Sequence, residues 1–156
     1  MQVTFRLAGI NDIPLLAKTR LDFLRALGYS VPDEAITSAQ QQIETFLQER
    51  LNKQIFAWLA IVEEQPVSVG FLQIYNVMYH PRSHTGRYGR IINMLTLPEY
   101  RNQGLARGIM ERLIALANEF SLDFIDLDAS PDGRHLYESL GFLEQHPIHP
   151  PMSLDL

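Results

Sequence analysis

The sequence predicts an α/β (α+β) fold built on one central sheet, and three observations predict it. Several segments carry apolar residues at helical spacing, and the runs between them are apolar throughout or alternate as strands do. In chain order they read strand, two helices, three strands, helix, strand, helix, strand. One strand feeds a glycine turn that opens directly into an amphipathic helix, which is an α/β connection. No repeat, low-complexity tract or linker divides the chain, so residues 1–156 are expected to form a single domain.

Gln2 to Leu7 alternates loosely and reads as a first strand. Asn11-Asp12-Ile13-Pro14 is a helix start, an Asx cap followed by proline in the first turn. The helix that follows carries Leu16, Phe23, Leu24 and Leu27 on one broad face and stops at Gly28. A second helix begins near Pro32-Asp33-Glu34, with Ile36, Ala39, Ile43, Phe46, Leu47 and Leu51 in register. Ile55 to Val62 and Val67 to Asn76 read as strands joined by Glu63-Glu64-Gln65-Pro66, a hairpin. Val77 to Gly89 is polar, aromatic and turn-rich, hence a loop, and Arg90 to Leu97 is the fourth strand. Leu105, Ile109, Leu113, Leu116 and Phe120 mark a third helix with a clear apolar stripe. Leu122 to Ala129 is a fifth strand, Asp132 to Leu140 a short helix, and Phe142 onward a final extended segment.

Composition narrows the function. An apolar share of 46% and a charged share of 20% are ordinary for a soluble protein. A net charge of −5 argues against general binding to nucleic acid or anionic membranes, while Arg101, Arg107 and Arg112 could still form a local basic pocket. With no cysteine there is neither a disulfide framework nor a thiolate nucleophile. Arg6 and Asn11-Asp12 interrupt any leading apolar run, so no signal peptide is expected. No segment approaches the roughly 20 apolar residues that span a bilayer. The expected compartment is the cytoplasm.

The stretch Arg101-Asn102-Gln103-Gly104-Leu105-Ala106 carries the most chemistry. A strand that turns tightly into a helix aims unpaired N–H groups outward at the positive end of the helix dipole. Gly104 and Ala106 have little or no side chain, so a large anion can approach the backbone, and Arg101 adds charge to share with phosphate oxygens. The physical reading is a pyrophosphate cradle.

As a pattern, R-x-x-G-x-A after an apolar strand resembles the acetyl-CoA signature of the GCN5-related N-acetyltransferase (GNAT) superfamily, Q/R-x-x-G-x-G/A. Thr96-Leu97-Pro98-Glu99-Tyr100 is similar to the family's strand end and Pro-x-Tyr turn, and Leu136-Tyr137-Glu138-Ser139-Leu140-Gly141-Phe142 to its L-Y-x-x-L-G-F helix end. The resemblance implies the GNAT fold: a mixed, mostly antiparallel sheet of about six to seven strands flanked by four helices and splayed between strands 4 and 5. It implies acetyl-CoA as cosubstrate, bound by Arg101, Asn102, Gln103, Gly104, Leu105 and Ala106. Backbone groups of Met94, Leu95 and Thr96, matching the family's bulge, would pair with the pantetheine arm and polarise the thioester carbonyl. Tyr137 would protonate the leaving thiolate, and Ser130 falls where many relatives place an asparagine that contacts the pantetheine arm.

The base is not identified by the pattern. The histone-type glutamate position matches about Arg90, and the ribosomal-type glutamate position matches Ile125; neither can accept a proton. Asp126 and Asp128 share a face of the fifth strand and are either a base or partners of Arg90, Arg107 or Arg134, with water as the remaining acceptor. His80 and His84 lie in a loop that Pro81 and Gly86 keep from being helical, so their spacing does not suit a metal and none is expected. The loop from Val77 to Gly89 could serve as a substrate lid.

The expected activity is transfer of acetyl to a primary amine of a small molecule or amino-acid derivative, by direct attack in a ternary complex. Two alternatives stay open: a peptide or protein N-terminal acetyltransferase, and a regulatory acetyl-CoA-binding module without turnover. A dinucleotide-binding unit is disfavoured, because G-x-G-x-x-G is absent. Many relatives pair, which leaves a homodimer open.

Overall fold

Each long apolar run predicted as a strand enters one sheet in the computed structural model, which describes residues 1–156. The elements are β1 (Val3–Leu7), α1 (Ile13–Ala26), α2 (Ile36–Arg50), β2 (Ile55–Val62), β3 (Gln65–Asn76), β4 (Arg87–Thr96), α3 (Leu105–Glu119), β5 (Ile125–Asp126) and α4 (Pro131–Ser139). The five strands lie in the order β1-β2-β3-β4-β5, antiparallel until β5 joins β4 in parallel. Glu63 and Glu64 both take positive φ (48° and 65°), which is what a two-residue hairpin turn between β2 and β3 requires.

Alternation divides the strand side chains between two cores. Val67, Leu72, Ile74 and Ile91 meet Ile109, Met110 and Leu113 of α3 on one face, with Tyr137 of α4. Val69, Phe71, Ala57 and Leu59 meet Leu16 of α1 and Leu47 of α2 on the other. The entry to α1 is fixed electrostatically. Asp12 accepts from Arg6 through both oxygens (2.8 Å each) and from the Gly9 N–H (2.7 Å). The Arg6 bond and the Gly9 bond outweigh burial and hold the Asp12 carboxyl below its ordinary pKa. This contribution to stability is present above the unfolded carboxylate value and is lost as pH falls through the depressed folded one. Asp12→Ala is expected to cost about 1–2 kcal/mol in urea unfolding at neutral pH, a penalty that shrinks in acid.

Three expectations on the sheet are corrected. It has five strands rather than six to seven, because the segment after Phe142 forms none. Pro147, Pro150 and Pro151 remove N–H donors there, and Leu143, Ile148 and Met152 stay exposed. The fifth strand shrinks to Ile125–Asp126, since the β4–β5 ladder stops after Gly89↔Ile125 and Arg90↔Asp126. The fourth strand begins at Arg87, three residues earlier than expected, because Asn76 pairs with it. The short ladder fits the expected splay: beyond Arg90, β4 has no strand on its outer edge.

Candidate active site

The bulge that opens the sheet is written in one residue. Pairing between β3 and β4 shifts between Val69↔Leu95 and Phe71↔Ile92, so Asn93 and Met94 together oppose Gly70. Asn93 takes φ +56°, which asparagine tolerates better than other non-glycine residues. The sides slip accordingly: Ile91 and Met94 pack toward α3, Ile92 and Leu95 toward α1 and α2. The bulge therefore lies at Asn93–Met94, earlier than the Met94–Thr96 expected, and Leu95 and Thr96 return to regular pairing with Val69 and Ser68. Gly70 makes this packing possible, since a Cβ there would meet Met94 Sδ at 2.2 Å and Ile109 Cγ2 at 2.8 Å. Gly70→Ala is expected to cost about 1–3 kcal/mol by overpacking, read as a lower Tm.

From the bulge β4 runs to the cradle. After Thr96 one 3₁₀ turn (Pro98–Tyr100) leads into Arg101–Gly104, and Arg101 Nε donates to the Thr96 carbonyl at 3.2 Å, tying the turn to the strand end. Asn102 (φ 58°) and Gly104 (φ 80°) both adopt the left-handed conformation, Gly104 as the N-cap of α3. The helix's first backbone bond runs from the Gly108 N–H to the Gly104 carbonyl, and the N–H groups of Asn102 through Arg107 donate to nothing in the chain. Arg101 to Gly104 are exposed, and nothing lies within 4 Å of a Cβ placed on Gly104. The expected basic cluster is smaller than supposed. Arg112 turns back onto the Phe5 ring (3.9 Å) and the Gly108 carbonyl, while Arg107 reaches Ser139 Oγ.

Where β4 and the chain after β5 part, a cleft of about 290 Å³ opens, lined by Phe23 of α1, Leu27 just past its end, Asn93, Met94, Ser130 and Tyr137. The Tyr137 ring is buried against Phe142, and its hydroxyl hydrogen-bonds to no group of the chain. Burial pushes its pKa up, so the phenol keeps its proton. Ser130 caps α4, its Oγ accepting from the Gly133 N–H at 3.2 Å, which leaves its own O–H free to donate.

The two fifth-strand acids are held by Arg90. Asp126 Oδ1 lies 3.1 Å from one guanidinium nitrogen without hydrogen-bond alignment, and Asp128 bonds to the other. Burial acts to lower the Arg90 pKa, but Asp128 and Asp126 outweigh it and raise it. Asp128, past the end of β5, is 92% exposed, whereas Asp126 is partly buried and its Oδ1 is shielded from solvent. Asp123 accepts from Ser83 Oγ, Thr85 N–H and Thr85 Oγ1, which pins the loop before β4 to the start of β5. His80 and His84 bond to that loop's own backbone. A larger hollow of about 700 Å³ lies under β5, α4 and the tail. Tyr137 lines this hollow too; of its two arginines, Arg134 is paired with Glu138 and Glu144, and Arg82 lies over the Phe124 ring at 4.2 Å.

Two residues stand out that the sequence reading passed over. Asn93 is 1% exposed, yet neither its amide oxygen nor its nitrogen has a partner. Arg20 of α1 is half-buried without a carboxylate in reach. An asparagine inside the apolar run Ile91–Leu97 was the available signal for the first; nothing local signals the second.

A family model described as "Acetyltransferase (GNAT) family" matches residues 20–142. Among solved structures, a predicted acetyltransferase from Clostridium acetobutylicum, determined with acetyl-CoA, is 27% identical with a TM-score of 0.83, covering 99% of this chain and 96% of that one. A GCN5-related N-acetyltransferase from Ralstonia eutropha is 23% identical, also with a TM-score of 0.83, over 97% and 99% of the two chains. A ribosomal-protein-alanine N-acetyltransferase from Brucella melitensis is 21% identical with a TM-score of 0.70, over 97% and 99%. At those last two identities the likeness speaks for the fold alone. No curated protein matches the sequence.

Proposed function

The chain belongs to the GNAT acetyltransferase family and is an N-acetyltransferase, and from that premise we propose that its acceptor is the primary amine of a small molecule, acetylated by direct attack in a ternary complex. Acetyl-CoA supplies the activated acetyl thioester. The residues present suit it: unpaired N–H groups from Asn102 to Arg107 face open space at a helix N-terminus, which is an anion site. We assign Arg101, Asn102, Gln103, Gly104, Leu105 and Ala106 to the pyrophosphate. Met94, Leu95 and Thr96, on the unpaired edge of β4, are assigned to the pantetheine arm, with the free O–H of Ser130 across the cleft. A backbone donor aimed at the oxygen that gains charge contributes about 3 kcal/mol.

Tyr137 supplies the proton for the departing sulfur. Its buried phenol stays protonated at neutral pH, and its hydroxyl has no competing bond. The amine attacks in its neutral form, and its surplus proton goes to water, because Asp126 and Asp128 are engaged by Arg90. The observation that carries this reading is a free tyrosine hydroxyl lining the cleft that the bulged strand opens. The neighbouring hollow of about 240 Å³ suits a compact acceptor better than an extended peptide. No helix is long and apolar enough to cross a membrane.

Calorimetric titration with acetyl-CoA, followed by thiol release across panels of small amines and short peptides, tests the proposal. Binding together with turnover of small amines is expected. Binding with turnover of peptides alone would replace the acceptor class, and binding without any turnover would favour a regulatory module.

A further inference from the structure

A second hollow, of about 240 Å³, lies between α1, α2 and the sheet, and Asn93 lines both it and the cleft that holds Tyr137. Its polar lining is one guanidinium, Arg20, and three amides, Gln42, Gln73 and Asn93; no acidic residue is among its walls. Arg20 makes no ion pair or hydrogen bond; its guanidinium lies 5.9 Å from the centre of the Phe23 ring and near Tyr29. The Asn93 amide is buried with every donor and acceptor unused. An orphaned buried amide is costly, and a half-buried guanidinium without a counter-charge adds to that cost, so both are expected to have a partner in the working complex.

We propose that this hollow binds the carboxylate of the acceptor, so that the substrate is an amino acid rather than a simple amine or a polyamine. Arg20 grips the carboxylate, and Asn93, on the wall shared by the two cavities, takes an N–H of the amine and turns it toward the cleft. A purely cationic acceptor would face an uncompensated arginine, and the absence of acids in the lining gives it no anchor. Leu16, Phe46 and Phe71 supply apolar walls for a side chain. Burial lowers the pKa of Arg20 from its ordinary value, in keeping with its dry setting, but an arginine remains charged. This inference rests on the acetyl-transfer reading above and gives its acceptor a chemical class.

The test is calorimetric binding and turnover of the standard amino acids, set against their decarboxylated amines and their carboxamides, with CoA present for the binding series. At least one free amino acid should bind tenfold or more tightly than its amine and amide. Arg20→Gln should weaken it on the order of 10- to 100-fold through KM, with kcat and acetyl-CoA affinity kept, and Arg20→Lys should restore part of the loss. Asn93→Gly, which suits the positive φ, should raise KM without unfolding the protein. Equal binding of acids, amines and amides, binding of no amino acid at all, or an unchanged preference in folded Arg20→Gln would overturn the proposal. Loss of acetyl-CoA binding by the wild type would instead defeat the acetyl-transfer reading, and direct amino-acid binding would then still decide the subsite.

Discussion

Replacing Tyr137 with phenylalanine is expected to lower kcat by about 10²- to 10⁴-fold, the usual contribution of a positioned general acid. Stability should hardly change, because the ring keeps its packing against Phe142 and the lost hydroxyl made no bond within the chain. Acetyl-CoA affinity should also be retained. The wild-type pH profile supplies an independent check. Burial raises the Tyr137 pKa, so the acid form persists past the ordinary tyrosine value of about 10, and the alkaline limb of kcat should lie above it. The same shift stabilises the fold below the unfolded tyrosine value and is lost as pH rises through the folded one. A phenylalanine variant with wild-type kcat would remove Tyr137 from the mechanism and leave water as the proton source.

Gly104→Glu should reduce acetyl-CoA affinity by at least about 10²-fold, the second large effect. Two causes combine. The carboxylate would stand among the unpaired N–H groups and repel the phosphates they are placed to receive. The backbone at φ +80° would also be strained by any Cβ, at about 1–2 kcal/mol. Gly104→Ala separates these causes. Nothing lies within 4 Å of the added methyl, so it carries only the backbone strain and should bind far better than the glutamate variant. Calorimetry on both, with melting curves to confirm folding, reads the difference. Equal affinity of Gly104→Glu and wild type would move the phosphates away from this loop.

Features whose cause and effect are neighbours along the chain were legible in the residues alone. The cradle is such a case. A strand end, Pro98, Arg101 and Gly104 sit within a few residues of α3, and the helix start, its free N–H groups and the need for positive φ at Gly104 follow from local backbone chemistry. The apolar stripes of α1, α2 and α3 and the β2–β3 hairpin were legible for the same reason.

Features that depend on partners far away in sequence emerged only from packing. The bulge settled on Asn93 because Gly70, on another strand, leaves room for Met94 above it. β5 shrank to two residues because a parallel ladder needs β4 to stay alongside, and β4 turns away after Arg90. Arg112 left the cradle for Phe5, more than a hundred residues earlier, and Asp126 and Asp128 found Arg90. Arg20 and Asn93 meet across one hollow only because α1 packs on the face to which the bulge turns the asparagine. A polar side chain with no local partner carries no signal of where it will point; packing assigns its neighbours, and here it assigns the groups proposed to choose the acceptor.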